Sequence, residues 1–252
     1  MKGVLSKFKS KEEGYQNVQQ STLQSKIEGL ASDLSDIDKL ITEAEATTLE
    51  AKEANVEELE KRLAEEQDKV SALIEKVTTS ETLIRASTPA KEALDEAAKI
   101  KKKFDGSVER LNQFKSFQEI LKLPPAAIPE VAEFEKLFGI RHKLWQIRLT
   151  FGEQQRRWYG ENFRDQDAPA IVATVKERES ELVKLKAQIG RDNKDEVHEA
   201  ATREVKDVAR YGNLIAALGN QAMQEKHWQK VWSLVETQPA TLMNFPLTQL
   251  LQ

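Results

Sequence analysis

The residues best suited to chemistry in this chain of 252 residues are three histidines, His142, His198 and His227. A metal site needs several such ligands that converge, and on a helix they usually follow HxxxH or HExxH spacing. The three histidines lie on separate predicted helices without that spacing, and the chain has no cysteine. The sequence therefore predicts no metal site, no thiolate ligand and no disulfide.

The sequence also lacks the common motifs of phosphate binding and nucleophilic catalysis. It contains no GxxxxGK[ST] loop, no GxGxxG and no serine in a GxSxG elbow. Its 42 Asp and Glu residues fall mostly on the polar faces of predicted helices, where solvation explains them. We therefore expect no catalytic residues, no cofactor and no enzymatic activity from this chain.

Composition points to an all-α protein. The chain is 32% charged and only 6% aromatic, which favours long solvated helices over a sheet-containing enzyme. The net charge is −4 and basic residues alternate with acidic ones, apart from Lys101-Lys102-Lys103, which we interpret as a solvated helix face. With no long apolar run either, we expect neither nucleic acid nor membrane as a partner.

Two heptad seams dominate the first half. The second seam is displaced by one residue relative to the first, with the slip near residues 47–49. A local change of supercoil, or a turn between antiparallel helices, would accommodate the slip. Either the seams recruit a partner or they form a hairpin that buries its own apolar residues. The seams comprise Leu23, Ile27, Leu30, Leu34, Ile37, Ile41 and Ala44, then Val56, Leu59, Leu63, Val70, Leu73, Val77 and Ile84.

A further helix is predicted to start with Thr88 as its N-cap and Pro89 at its first position. We expect Asp105-Gly106 to be a point where this helix bends or ends. Its predicted apolar stripe consists of Leu94, Ala97, Phe104, Val108, Leu111, Phe114, Phe117 and Leu121.

The stretch "KLPPAAIPEV", residues 122–131, divides the chain because three prolines within six residues cannot continue a helix. We predict an elongated, coiled-coil-like helical bundle over residues 1–121 and a more globular bundle of shorter helices over residues 122–252. In the second domain Asp167 is the expected N-cap before Pro169, and Gly190 is the expected C-cap. Asn193 with Glu196 resembles a capping box. The next helix should bury Val197, Ala201, Val205, Val208 and Ile215, and we find no convincing strand.

The stretch "LIAALGNQAMQEKHWQKVWSLV", residues 214–235, places a histidine beside a tryptophan. Helical spacing predicts one stripe through Met223, His227, Val231 and Leu234, and another through Trp228, Trp232 and Val235. Two adjoining apolar stripes predict a wide buried face. We therefore expect His227 to donate a hydrogen bond within that face rather than to act as a catalyst.

This stretch resembles the start of the linker of dynein heavy chains, whose pattern is "pLi..L.n.al..rHW..l". The residues that match it are Leu214, Ile215, Leu218, Asn220, Ala222, Met223, His227, Trp228 and Val231, with Lys226 in place of the usual Arg. Upstream, "KLWQIRLTFGEQQRRWYGENF" is similar to the family's Leu-Trp helix through Leu144, Trp145, Trp158 and Phe163. "LPPAAIPEV" resembles the "LP...YPEL" of axonemal heavy chains, with Ile128 replacing the aromatic residue. Downstream, "FPLTQLLQ" matches through Phe245, Leu247 and Leu250.

The resemblance spans residues 123–252 and implies a piece of a larger microtubule motor. The family's motor is a ring of ATPase modules, and its linker is a helical lever that swings across the ring. This segment would connect the tail to that lever and transmit force, with Trp145, Trp158, His227, Trp228 and Trp232 as stiffening core residues.

The implied partners are the remainder of the heavy chain and other dynein subunits or axonemal proteins. The implied location is the cytoskeleton, in the axoneme of a cilium or flagellum, or otherwise the cytoplasm. The alternative is a free-standing coiled-coil adaptor or scaffold that binds a partner through its heptad seam.

Overall fold

The computed structural model of the chain describes residues 2–234 and 244–250, and it confirms the all-α fold. Within those ranges the only β-type pairing is an isolated antiparallel bridge between Asn162 and Pro246. None of the described helices is both long and apolar enough to cross a bilayer. The helices are α1 Lys2–Thr79, α2 Glu81–Ile84, α3 Ala90–Ile120, α4 Pro129–Gly160, α5 Ala168–Ile189, α6 Glu196–Ala209, α7 Gly212–Leu218, α8 Glu225–Trp232 and α9 Leu247–Leu250, with a 3₁₀ turn at Phe163–Asp165.

The chain divides into two compact units, and α1 contributes to both of them. The first unit is Met1–Arg62 with Ile120–Leu123, and the second is Leu63–Glu119 with Pro124–Gln252. Helix α1 passes through residues 47–49 without a break, and the Thr47 and Thr48 hydroxyls donate to helix carbonyls at 2.8 and 2.7 Å. The register slip therefore lies inside one helix, and the turn considered from the sequence is excluded.

In the second unit, the end of α1 and helix α3 form a hairpin that buries its own seam. Val70, Leu73 and Val77 are buried on α1, and Lys76 Nζ bridges to Glu96 of α3 at 2.7 Å. The α3 stripe alternates steps of four and three residues, as heptad packing requires. It consists of Ala93, Ala97, Ile100, Phe104, Ser107, Leu111, Phe114 and Gln118.

Three details of this hairpin differ from the sequence-based expectation. The seam does not continue to Ile84: α1 stops at Thr79, Ser80 is extended, and Leu83 is the residue that becomes fully buried. Phe117 does not thicken the stripe but is 50% exposed, because the buried positions step from Phe114 to Gln118. Asp105-Gly106 neither ends nor interrupts α3, whose packing outweighs the low helix propensity of glycine.

The start of α3 is predicted to within one residue. The helix begins at Ala90, and the Pro89 carbonyl accepts the first helical bond from Ala93 at 3.1 Å. Pro89 therefore precedes the first helical position instead of occupying it, a difference of the size usual at helix ends.

The helix boundaries of the second half follow local capping signals. The proline-rich break is confirmed, since α3 ends at Ile120 and α4 begins at Pro129. Asp167 accepts from the Ala170 N–H at 3.0 Å as the N-cap of α5, and Gly190 ends α5 with φ +103°, both as predicted. The capping box at Asn193 is wrong, because Asp195 is the N-cap of α6.

The core of the second half lies where α5 packs against α4, α6 and α7, with α9 packed against α4. The five residues predicted to line one face of the helix after Asn193 are all buried. Four of them lie on α6, and the fifth, Ile215, reaches the core from the separate helix α7. Gly219 follows α7 at a close approach, because a Cβ there would stand 2.0 Å from the Cβ of Ala168. These helices hold two groups of side chains in fixed positions, one around Trp145 and one around Trp228.

Candidate functional site: the hairpin–bundle junction

The turn of the hairpin, residues 80–89, is fastened to the bundle through Trp145 of α4. Trp145 is fully buried, and its indole Nε1–H donates to the carbonyl oxygen of Leu83 at 2.9 Å. Leu83 is itself fully buried. A buried donor and a buried carbonyl that satisfy each other are costly to separate, because either group left alone loses its only compensation for desolvation. The neighbouring Leu144 is also fully buried.

Arg148 makes the second link, one helical turn beyond Trp145. Its Nη1 donates to the carbonyl oxygen of Ala86 at 2.7 Å, while Nε and Nη2 reach Glu204 Oε1 of α6 at 3.2 and 2.7 Å. The guanidinium carbon lies 5.1 Å from the centroid of the Trp145 ring. The planar fork of arginine suits this combination of a bidentate carboxylate, a carbonyl and an aromatic face. Arg148 thus joins the hairpin turn, α4 and α6.

Helix α6 holds the same turn from its N-terminal end. Glu196 Oε1 accepts from the Ala86 N–H at 2.9 Å, and Arg85 Nη1 lies 3.5 Å from Oε2. The Ala86 peptide therefore has its N–H held by α6 and its carbonyl held by Arg148 of α4. We call this set of contacts the junction: Leu83, Arg85, Ala86, Trp145, Arg148, Glu196 and Glu204.

The ion pair between Arg141 and Asp195 fixes α4 against the start of α6. Arg141 Nη2 lies 2.9 Å from Asp195 Oδ2, and the two side chains are only 15% and 9% exposed. Asp195 Oδ1 also accepts from the His198 N–H at 2.9 Å as the N-cap of α6. One carboxylate therefore starts the helix and pins it to its neighbour, whereas Asn193 donates from Nδ2 to the Ile189 carbonyl at 2.7 Å, at the end of α5.

A column of aromatic rings joins α3 to α4. Phe104 stacks on Phe134 at 3.9 Å between centroids, Phe134 on Phe138 at 5.3 Å, and Phe138 on His142 at 5.6 Å. Burial, helped by the nearby charge of Lys143, lowers the pKa of His142 below its usual value. His142 thus caps an aromatic stack and is favoured in its neutral form.

A polar layer interrupts the apolar seam of the hairpin at Glu66. The Glu66 side chain is 5% exposed, and Oε1 lies 2.6 Å from Lys69 Nζ and 2.8 Å from Arg110 Nε of α3. Burial alone would raise the pKa of Glu66, but hydrogen bonds from Arg110, Lys69 and Ser107 outweigh it and hold the pKa below its ordinary value. A charged position inside an apolar seam fixes helix register, since a slipped register would bury the charge without its partners.

The second group of side chains is the C-terminal aromatic cluster, Trp228, Trp232, Phe245 and Phe163. Trp228 and Trp232 are each 1% exposed, and each lies 4.8 Å from Phe245 between ring centroids. The backbone reinforces these contacts, because the Phe163 N–H donates to the Phe245 carbonyl at 2.9 Å. Among the described residues, the Trp228 indole N–H has no hydrogen-bond partner.

His227 and Asn220 shape the backbone around this cluster. His227 Nδ1 accepts from the Gln224 N–H at 2.9 Å, and the Gln224 side chain accepts from the His227 N–H, so the two form a capping box for α8. The expectation that His227 donates within a buried face is therefore wrong, because the ring is half-buried and serves as an acceptor. Asn220 Oδ1 accepts from the Ala222 N–H at 2.9 Å in the turn before α8.

The residues singled out by the resemblance lie in three places. Trp145 belongs to the junction and Leu144 is its buried neighbour, whereas Trp158 lies apart from it, half-buried with its ring edge-on to Phe151 at 5.7 Å. Trp228 and Trp232 belong to the C-terminal aromatic cluster, while half-buried Leu218, Asn220 and His227 lie at the end of α7, in the following turn and in α8. Their role as family hallmarks stays a prediction.

Leu234 is 87% exposed, because α8 ends at Trp232. Val235 and the side chain of Leu250 lie outside the described residues.

In the described part of the chain, no group of three or more His, Cys, Asp or Glu residues is arranged to hold a metal ion. His198 is buried and its Nε2 lies 2.9 Å from the Leu182 carbonyl oxygen, a structural contact. Arg141, Arg148 and Glu204 were not singled out from the sequence, because each resembles any solvated charge on a helix until its partner is known. Glu196 was named only as part of the capping box expected with Asn193.

The fold and these contacts define an α-helical segment whose hairpin is fastened to a helical bundle. Residues 131–252, just under half of the chain, match the family model "Dynein heavy chain, N-terminal region 2". The match supports a fragment of a dynein heavy chain and covers nearly all of the segment in which the resemblance was found. A search of curated proteins gave no match.

Proposed function

We propose that this chain is a non-enzymatic mechanical segment of a microtubule motor heavy chain, which connects the tail to the linker lever and transmits force. The observation that carries the proposal is the junction, where the hairpin turn is held by a buried tryptophan and a bidentate arginine. A segment that transmits force must not hinge between its parts. Hydrogen bonds to the backbone of residues 83 and 86 resist hinging because they break as soon as the turn moves by an ångström or two.

The two predicted domains would have different roles in this proposal. Residues 1–121 would serve as the tail-like part and residues 122–252 as the start of the linker, and the junction ties residues 83–86 of the former to α4 and α6 of the latter. The partners proposed are the remainder of the heavy chain and other dynein subunits or axonemal proteins. The proposed location is the cytoskeleton of the axoneme, supported by the likeness of "LPPAAIPEV" to axonemal heavy chains, or otherwise the cytoplasm.

The test is to break the junction in the whole motor heavy chain and to measure force and ATP turnover separately. Arg148→Ala should lower the stall force while ATP turnover by the ring is unchanged. Arg157→Ala is the matched control, since Arg157 is 74% exposed and its one ion pair among the described residues is with Glu161, four residues along the chain. Unchanged stall force for Arg148→Ala, or equal losses for the two variants, would count against force transmission through the junction.

A free-standing coiled-coil adaptor is the second candidate, and the exposure of the first heptad seam supports it. The two candidates differ in solution behaviour. A force-transmitting segment should be monomeric by light scattering and should neither bind nor hydrolyse ATP. A tight dimer through the seam would favour the adaptor, and ATP hydrolysis by the isolated chain would contradict both.

A further inference from the structure

A continuous apolar stripe on the first part of α1 is left exposed. Its six large residues are each between 50% and 63% exposed, and Leu40 beside them is 64% exposed. Soluble monomers rarely leave such stripes uncovered, and contiguous exposed apolar surface commonly marks an interaction site. At the helical rise per residue this stripe runs for about 27 Å. We call it the first-seam face: Leu23, Ile27, Leu30, Leu34, Ile37 and Ile41.

The spacing of the first-seam face fits another helix laid along it. In heptad notation Ile27, Leu34 and Ile41 occupy a positions, and the other three residues occupy d positions. Side chains at a and d insert between four residues of a facing helix, which is how two helices cover each other's stripes. The face therefore has the geometry for a helical partner instead of a compact ligand, which would need a concave site.

The charges beside the face specify what kind of helix fits. The positions that flank a coiled-coil seam, e and g, carry Asp33, Asp38 and Glu45 on this segment but only one base, Lys26. Over residues 26–45 there are six carboxylates and two lysines, one of which, Lys39, pairs with Asp36 at 3.3 Å. Flanking charges set partner choice in coiled coils, so the matching helix carries Lys or Arg beside its own apolar seam.

A parallel dimer of this chain, formed through the first-seam face, matches poorly. In a parallel dimer each g residue faces the e residue of the next heptad on the other helix. Asp33 would then face Asp38, Lys26 would face Ala31, and Leu40 would lie beside a carboxylate. Such a dimer has like charges on both sides of the seam and no attractive pair.

From the exposed heptad stripe and its acidic borders, we infer that the first-seam face docks an amphipathic helix of a partner protein with basic residues at its e and g positions. The face shares no residue with the junction, so the inference does not depend on force transmission.

Fluorescence anisotropy with designed peptides tests the inference. The probe is a labelled helix of four heptads with Ile at a, Leu at d and Lys at e and g. One control peptide has Glu at e and g, and a second has the composition of the probe in scrambled order. The chain should bind the probe at least tenfold more tightly than either control. Equal binding of the Glu peptide, or of the scrambled peptide, overturns the inference.

Variants of the chain locate the binding and reverse its charge preference. Leu30→Asp with Leu34→Asp should weaken probe binding more than tenfold, whereas Ser25→Asp with Ser32→Asp, on the opposite helix face, should change it less than threefold. Replacing Asp33, Asp38 and Glu45 by Lys should switch the preference to the Glu peptide. Circular dichroism confirms that each variant is helical. Binding that survives the Leu30 and Leu34 changes, or dimerisation of the unmodified chain that those changes abolish, contradicts the proposed occupant.

Discussion

The tryptophan at the junction can be compared with a second tryptophan that is equally buried but whose indole N–H makes no hydrogen bond to the described residues. Trp145 and Trp228 are 0% and 1% exposed, but the Trp145 indole N–H donates to the Leu83 carbonyl, and that of Trp228 has no hydrogen-bond partner in the described structure. Replacing either residue by Phe removes the same number of atoms from a packed interior. The two substitutions therefore differ mainly in the hydrogen bond.

The magnitude follows from that difference. A large-to-small change within the aromatic residues costs about 1–3 kcal/mol of unfolding free energy at both sites. Trp145→Phe also leaves the buried Leu83 carbonyl without its donor, which costs a further ~1–3 kcal/mol. Trp228→Phe removes a donor that has no partner among residues 2–234 and 244–250, so we expect no such loss. We expect Trp145→Phe to be the more destabilising change by about 1–3 kcal/mol.

Urea unfolding followed by circular dichroism at 222 nm provides the assay, because tryptophan fluorescence itself changes in both variants. Unchanged m-values would show that the same cooperative transition is measured for each protein. Equal losses for the two substitutions, or a larger loss for Trp228→Phe, would refute the claim that the Trp145–Leu83 bond holds the hairpin to the bundle.

Three further predictions concern the hairpin, a close approach and a helix cap. The pKa of Glu66 is lowered by folding, so its contribution to stability is complete above the pKa of the unfolded chain and is lost as pH falls through the folded value. In urea titrations Glu66→Gln should therefore destabilise near neutral pH and progressively less at acid pH. Glu58→Gln, at a fully exposed residue whose pKa is also lowered, should change the urea midpoint little at either pH. Gly219→Ala should cost about 1–3 kcal/mol in the same assay because its Cβ would clash, whereas Gly212→Ala meets open space and should be near neutral. His227→Leu should lower stability by roughly 1 kcal/mol by removing the capping acceptor, and His227→Gln should restore most of the loss; equal effects would contradict the capping role.

Local patterns in the sequence predicted the helices well, since capping and periodicity act over a few residues. Asp167 and Gly190 are at the ends predicted for them, and the prolines after Ile120 separate α3 from α4 as expected. The capping box expected at Asn193 was wrong, because Asp195 is the N-cap of α6 and is held there by Arg141, a residue distant in sequence.

Side-chain environments that depend on distant partners could not be read from the same patterns. The two heptad seams look alike in sequence, yet Val70 and Val77 are buried in the hairpin with α3 and Leu30 and Leu34 are exposed. The sequence could not distinguish them, because the same periodicity is found whether or not a partner helix covers the seam. The junction was missed for a related reason. The Trp145 indole N–H donates to a backbone carbonyl. Because every residue has such a carbonyl, the identity of the residue at position 83 does not indicate that it is the acceptor.

The central claim, that the junction makes the hairpin and the bundle one mechanical element, is tested most directly by single-molecule force measurement. The chain has no cysteine, so handles can be attached through Ser71→Cys on α1 and Gln229→Cys on α8, both at exposed positions. Under load, the hairpin and the bundle of the unmodified junction should unfold in one cooperative event. Arg148→Ala should divide that event into two steps, with the hairpin separating first and at a lower force. Separation of the hairpin in an earlier step, at a force that Arg148→Ala does not change, would contradict the account.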